Sequence, residues 1–124
     1  MTKYKNGMQK RRSVLGDAHV DRADLSKTDF DEGFQDFITR YAWGEVWQGE
    51  ALSIKERHFV TLAMMAALGK EHEFAMHVRA TKQTGVTKEE LADILKTVAI
   101  YAGLPAANTA FGIAKKIYAE EAHD

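Results

Sequence analysis

The stretch LSIKERHFVTLAMMAALGKEHEFAMHVRAT, residues 52–81, decides the fold of this chain. Ser53 is followed three residues later by Glu56, and this capping-box spacing predicts the start of a helix. Residues 59–68 are apolar nearly all round, which is typical of a buried central helix. Gly69 then interrupts the pattern, as glycines do at helix C-termini. The stretch therefore predicts two helices joined at a glycine.

The second of these helices carries Glu73, His77 and Arg79 within seven residues. Side chains four residues apart share a helix face, so the Glu73 carboxylate can orient the His77 imidazole or raise its basicity. Arg79 lies about 200° around the helix from His77, but its long side chain can reach a shared cleft. An ordinary ion pair on a solvated helix face has the same spacing. His58, in the preceding helix, is interpreted as an orienting or packing group rather than a ligand.

The string HEFAMH, residues 72–77, has the residue types of a zinc-binding helix but not its spacing. Two histidines that bind zinc from one helix are four residues apart, whereas His72 and His77 are five apart. They diverge by about 140° around the helix, so we predict no metal. The chain contains no cysteine, which excludes a disulfide, a thiolate nucleophile and a thiol redox couple.

Charge and hydropathy exclude further classes of function. The 17 basic and 18 acidic residues nearly cancel, so no basic surplus indicates a nucleic-acid partner. The basic N-terminus is not followed by the apolar run of a signal peptide. No window approaches the roughly 18 uninterrupted apolar residues of a membrane span. We expect a globular protein of the cytoplasm with no membrane partner.

Two polar side chains near the N-terminus are candidate functional groups. Residues 3–15 predict a helix that ends at Gly16. Residues 16–29 mix turn formers with charge and are interpreted as a connection, which carries His19 and Arg22. Loops often carry functional side chains, although an ordinary surface loop has the same composition.

An aromatic pattern follows this connection. Thr28 or Asp29 can cap a helix that begins at Phe30. Trp43 and Trp47, four residues apart, share a face near its end, where a pocket wall or a subunit contact is also possible. The members of the stripe recur at helical spacing, and most of them are expected in the core: Phe30, Phe34, Phe37, Ile38, Tyr41 and, as a possible further member, Trp47.

Glycines and caps divide the rest of the chain into helices. Gly85 ends one helix, Thr87 and Glu90 have capping-box spacing for the next, and Gly103 and Pro105 separate that helix from the last. No segment alternates convincingly with period two. The sequence therefore predicts an all-α, single-domain bundle of about six helices.

The predicted domain spans residues 1–124. Residues 1–29 form its N-terminal helix and connecting loop, and residues 30–122 form its helical core.

Four segments together resemble one known family. They are LGDAHVDRA (15–23), FQDFITRYAWGEVW (34–47), EFAMHVRAT (73–81) and AIYAGLPAANTAF (99–111). In this order, over nearly the whole chain, they are similar to the γ-carboxymuconolactone decarboxylases. Alkylhydroperoxidase-like members of the wider superfamily use a Cys-x-x-Cys pair. Here Lys70 and Glu73 stand about where those cysteines fall, so thiol peroxidase activity is not expected.

The resemblance implies an alkylhydroperoxidase-like helical subunit that assembles as a homo-oligomer, commonly a hexameric ring or trimer of dimers. It also implies a cofactor-free carboxy-lyase of protocatechuate breakdown, in the β-ketoadipate pathway. The family's reaction converts 4-carboxymuconolactone to 3-oxoadipate enol-lactone and carbon dioxide. Two alternatives remain: an enzyme acting on another small carboxylated lactone, and a non-catalytic helical oligomer that binds a small ligand or partner.

With this reaction in view, site residues can be assigned as hypotheses. His77 is the proton donor or oxyanion partner, and Glu73 sets its tautomer and basicity. His19 completes the pocket from the same or a neighbouring subunit. The substrate-binding candidates are Arg79 for one carboxylate, Arg40 or Arg22 for a second contact, and Trp43 and Tyr101 for the wall.

Overall fold

The computed structural model describes residues 2–123, and over this range the chain is helical with no β-strand. The prediction of an all-α chain is confirmed, with seven α-helices in the described range where about six were expected. The helices are α1 (Lys3–Leu15), α2 (Asp17–Ser26), α3 (Glu32–Ile38), α4 (Ile54–Ala67), α5 (Glu71–Thr84), α6 (Lys88–Ala102) and α7 (Leu104–Glu121). They fall into two compact units, which divide between Ile54 and Lys55.

The interpretation of residues 16–29 as a connection is wrong over most of its length, because Asp17–Ser26 forms α2. Gly16, with φ 89°, breaks the chain between α1 and α2. Arg12 then binds the Asp17 carboxylate at 3.0 Å and the Asp21 carboxylate at 2.9 Å. The residues that repeat at helical spacing in α2 are therefore acidic side chains that contact Arg12. A search for apolar residues at helical spacing does not find such a helix.

The third helix begins at Glu32, two residues later than predicted. Asp31 takes the N-cap position, and its Oδ1 accepts a hydrogen bond from the Thr28 amide at 2.8 Å. After only seven residues the helix widens into a π-helical turn, Thr39–Trp43. The Thr39 hydroxyl donates to the carbonyl of Gln35 at 2.8 Å, a side-chain bond that competes with the regular helical ladder.

The predicted aromatic core is wrong for Phe30, Phe34 and Phe37, because helical spacing shows which side chains share a face but not whether that face is covered. Phe30, Phe34 and Phe37 are 97%, 61% and 52% exposed in the single chain. Trp47, the possible last member of the stripe, is buried, and its ring stacks on that of the buried Trp43 with centroids 4.9 Å apart. A π-helical turn takes more residues per turn than an α-helix, so side chains beyond α3 point to a different face. The two tryptophans, which were predicted to share a face, contact each other.

A close backbone approach makes Gly7 the most constrained position of the N-terminal unit. A Cβ added to Gly7 would overlap the carbonyl oxygen of Thr39 and lie 2.9 Å from the amide nitrogen of Gly44. Neither backbone atom can rotate away, so Gly7→Ala is expected to lower the free energy of unfolding by about 1–3 kcal/mol. Gly33→Ala in α3 is the matched control, because a Cβ there meets nothing within 4 Å.

Urea unfolding followed by circular dichroism measures both variants. Gly33→Ala is expected to be neutral or to stabilise by up to about 1 kcal/mol, since alanine is the better helix former. Equal stability of the two variants would contradict the close approach at Gly7.

The composition of the fourth helix predicted burial on all sides, and this prediction is wrong. His58, Leu62 and Ala66 point into the protein, one turn apart. Val60 and Met64 lie on another side of α4 and are exposed in the single chain. The helix therefore packs along one stripe.

The helix boundaries of the C-terminal unit agree closely with the sequence prediction. Gly69 and Gly85 have φ values of 70° and 84°, which side-chain-bearing residues rarely adopt. The predicted capping box of α6 is confirmed by reciprocal hydrogen bonds between Thr87 and Glu90. The core of this unit is made by residues from four helices and one loop: Leu62, Ala66, Phe74, Val78, Val86, Leu91, Leu95, Val98, Ala107, Ala110, Ala114 and Ile117.

Candidate active site

Two histidines meet in the C-terminal unit. The chain turns at Gly69, and this brings the early part of α4 beside the second half of α5. His58 Nε2 lies 3.1 Å from His77 Nδ1, and His58 Nδ1 lies 2.6 Å from the hydroxyl oxygen of Thr84. The three side chains form a hydrogen-bonded row, Thr84 to His58 to His77.

His58 is fully buried, and this burial controls its charge. Desolvation, followed by repulsion from His77, lowers the pKa of His58 to about 3 from its ordinary value of 6.5. His58 is therefore a neutral imidazole near neutral pH. A neutral imidazole donates from one nitrogen and accepts at the other, so it can meet either protonation state of His77.

His77 is held between helices with little freedom to rotate. It is 7% exposed and lies on α5 between the core residues Phe74 and Val78. Its Nδ1 atom is engaged by His58. This contact bears on which nitrogen of a neutral His77 carries the proton.

The predicted contact between Glu73 and His77 is not formed. Glu73 is exposed in the first turn of α5, and within residues 2–123 no hydrogen bond or ion pair of its carboxylate is seen. In that position the carboxylate is favoured by the positive end of the helix dipole and by water. The Nδ1 partner of His77 comes from another helix, and it is His58.

Two other candidates of the C-terminal unit do not belong to this row. Arg79 points toward α7, where its Nη2 lies 3.8 Å from Glu120 Oε2. This agrees with its predicted angular distance from His77. Tyr101, near the end of α6, is 87% exposed in the single chain.

The remaining four candidates lie in the N-terminal unit. His19 and Arg22 are on α2, the former partly buried and the latter exposed. Arg40 Nε donates to Asp36 Oδ2 at 2.7 Å. Trp43 is buried against Trp47.

Sequence reasoning interpreted His58 as an orienting or packing group and did not include it among the site residues. The available signal was a histidine four residues before Leu62, on the stripe of α4 that proves to be buried. Thr84 gave no signal at all. Its partner is 26 positions away in the chain, so only the pairing of α4 with α5 reveals the contact.

Two possible kinds of site are not found in the described range. Among residues 2–123, no three histidine, aspartate or glutamate side chains converge in a way that could hold a metal ion. Over the same residues, no helix has both the length and the apolar content needed to cross a bilayer.

Similarity to known proteins covers most of the chain. Residues 32–116 match the carboxymuconolactone decarboxylase family. The 4-carboxymuconolactone decarboxylase of Acinetobacter baylyi is 45% identical over 116 residues, which span 94% of this chain and 87% of that protein. The nitrosuccinic acid decarboxylase of Metarhizium robertsii is 32% identical over 113 residues, spanning 91% of this chain and 79% of that protein. A 4-carboxymuconolactone decarboxylase of Pseudomonas putida is 56% identical over 43 residues, 35% of this chain and 90% of that sequence.

Proposed function

Because this chain belongs to the carboxymuconolactone decarboxylase family, we propose that it converts 4-carboxymuconolactone to 3-oxoadipate enol-lactone and carbon dioxide. The support from similarity is the 45% identity to a relative of that name over 94% of the chain. The support from geometry is the buried His58 and His77 pair. A carboxy-lyase of protocatechuate catabolism needs such a proton donor, whereas a module that only binds a partner does not.

The reaction demands little chemistry from the protein. The departing carboxylate is attached to a ring carbon that a ring double bond connects to the lactone carbonyl. When the carbon–carbon bond breaks, its electron pair moves through the ring to the carbonyl oxygen. The resulting enolate then takes one proton at the ring carbon next to that carbonyl. The protein must hold an anionic substrate, stabilise the oxyanion and deliver the proton, and no cofactor has to accept electrons.

We assign the proton delivery to His77. Its Nδ1 is held by His58, which stays neutral and can therefore stabilise either the neutral or the protonated imidazole of His77. The protonated ring donates from Nε2 to the substrate carbon. It then recovers a proton from water, because each turnover consumes one proton.

The other candidates keep proposed roles in this reaction. Glu73, exposed in the first turn of α5, is proposed to contact substrate or water rather than His77. His19 and Arg22 are proposed to face the anionic substrate. The proposed carboxylate contacts further include Arg79 and Arg40, and the proposed pocket wall includes Trp43 and Tyr101.

The proposal includes assembly into a homo-oligomer, a hexameric ring, in the cytoplasm. In its favour, large apolar side chains are exposed on the single chain in both units. Phe30 and Phe34 belong to the N-terminal unit, and Met64 and Leu68 to the C-terminal unit. Apolar side chains exposed in this way are often covered in oligomers.

Proton NMR of freshly generated 4-carboxymuconolactone tests the activity directly. The purified protein is expected to convert it to the enol-lactone far faster than buffer does, in proportion to protein concentration. Nitrosuccinic acid, the substrate in the name of the Metarhizium robertsii relative, is the comparison substrate. Conversion of nitrosuccinic acid alone would contradict the proposed substrate but keep the reaction class. Conversion of neither would contradict the proposed function.

A further inference from the structure

We propose that Thr84 is a positioning residue, whose hydroxyl fixes the tautomer of His58 and, through it, the tautomer of His77. The evidence is the 2.6 Å contact between the Thr84 hydroxyl and His58 Nδ1, in a row that continues for 3.1 Å to His77 Nδ1. The role of these three side chains in catalysis rests on the proposed function, whereas the tautomers of the two histidines can be measured independently of it.

The direction of the hydrogen bonds follows from the hydroxyl. A threonine hydroxyl carries one hydrogen, which needs an acceptor. Other threonines direct theirs to backbone carbonyls, as Thr81 does to Val78 at 2.6 Å. For the Thr84 hydroxyl, His58 Nδ1 is the partner seen within residues 2–123. In the state with neutral His77, Thr84 is assigned as the donor and His58 Nδ1 as the acceptor.

The direction of the first hydrogen bond determines the direction of the second. A neutral His58 that accepts at Nδ1 carries its proton on Nε2, which faces His77 Nδ1 at 3.1 Å. His58 then donates to His77, and neutral His77 must carry its own proton on Nε2. Thr84 thus selects the tautomer in which His77 presents an N–H at the atom assigned to proton transfer.

The same hydroxyl also accommodates the charged state of His77. When His77 is protonated on both nitrogens, its Nδ1–H must donate to His58 Nε2. Neutral His58 then carries its proton on Nδ1 and donates to Thr84, which turns from donor to acceptor. The hydroxyl hydrogen of Thr84 then goes to water, because this residue is only partly buried. A hydroxyl can do both without moving its oxygen, whereas an aliphatic side chain can do neither.

The test replaces Thr84 by valine, which keeps the shape and removes the hydroxyl, and by serine, which keeps the hydroxyl. Two-bond proton–nitrogen NMR spectra of protein labelled at its five histidines give each tautomer in mildly alkaline solution. In the wild type, His58 and His77 are expected to be protonated on Nε2. Thr84→Val is expected to mix the tautomers of His58, and Thr84→Ser to retain the wild-type spectrum. Thr97→Val, an exposed threonine on α6, is the control for the substitution itself.

Kinetics provide a second readout. Thr84→Val is expected to lower kcat roughly 10-fold or more, part of the ~10²–10⁴-fold that a positioned general acid supplies, with KM nearly unchanged. Thr84→Ser is expected to restore kcat. The proposal is overturned if wild-type His58 is protonated on Nδ1, or if Thr84→Val leaves both spectrum and kcat unchanged. If the wild type does not convert the lactone, the function fails, and the spectra alone still decide the role of Thr84.

Discussion

Replacing His77 by asparagine is expected to lower kcat by about 10²–10⁴-fold while the protein remains folded, because this is the range that general acid catalysis contributes. Asparagine suits the test because its amide can occupy the place of Nδ1 and keep a hydrogen bond to His58 Nε2. In the wild type these two ring nitrogens are 3.1 Å apart. The atom removed is Nε2. The loss is expected in kcat rather than KM, since proton delivery occurs in the transition state.

His72→Asn is the matched control for this experiment. His72 lies on the same helix, five residues before His77, and is exposed. It is expected to retain wild-type kcat. Circular dichroism and thermal unfolding check that both variants are folded. If His77→Asn keeps kcat within about threefold of wild type, well short of the ~10²-fold expected, His77 is not the proton donor.

The second large effect concerns stability in acid. The pKa of His58 is about 3 in the folded protein, below its ordinary value of 6.5, so the unfolded chain binds more protons between these values. The stabilisation is fully present above pH 6.5 and is lost as pH falls toward about 3. Its slope has an upper limit of about 1.4 kcal/mol per pH unit. Wild-type stability is therefore expected to fall by a few kcal/mol between about pH 6.5 and 4 through this residue.

Urea unfolding at a series of pH values and one protein concentration measures this slope. His58→Gln removes the titrating ring and is expected to flatten the pH dependence, even if it is less stable near neutral pH. His72→Gln changes an exposed histidine and is expected to keep the wild-type slope. Parallel curves for the wild type and His58→Gln would show that burial of a neutral His58 is not what makes the fold sensitive to acid.

Local signals in the sequence predicted much of the C-terminal unit. Gly69 and Gly85 adopt the positive φ values expected where helices end, and Thr87 and Glu90 form the predicted capping box. These features depend on neighbours in sequence, so spacing is enough to find them. The N-terminal unit was less predictable because α2 is patterned by acidic residues that bind Arg12 rather than by apolar ones.

The candidate site shows the same division between local and distant contacts. His77 was identified from its spacing, but the expected partner Glu73 was a neighbour on the same helix. The observed partner, His58, lies 19 positions away on another helix. Spacing identifies pairs within a helix, whereas pairs between helices depend on how α4 and α5 face each other. The one-sided burial of α4 was missed for a related reason, since composition does not state which side of a helix is covered.

Thr84 is also the last residue of α5, immediately before the left-handed Gly85. The final turn is closed by a 2.9 Å hydrogen bond from the Gly85 amide to the Thr81 carbonyl. Helix ends open locally at a lower free energy than global unfolding requires. The rate of hydrogen exchange at the Gly85 amide therefore measures how often the last turn of α5 opens, and we expect this opening to separate Thr84 from His58. We therefore expect the oriented imidazole pair to persist only while this end of α5 remains closed.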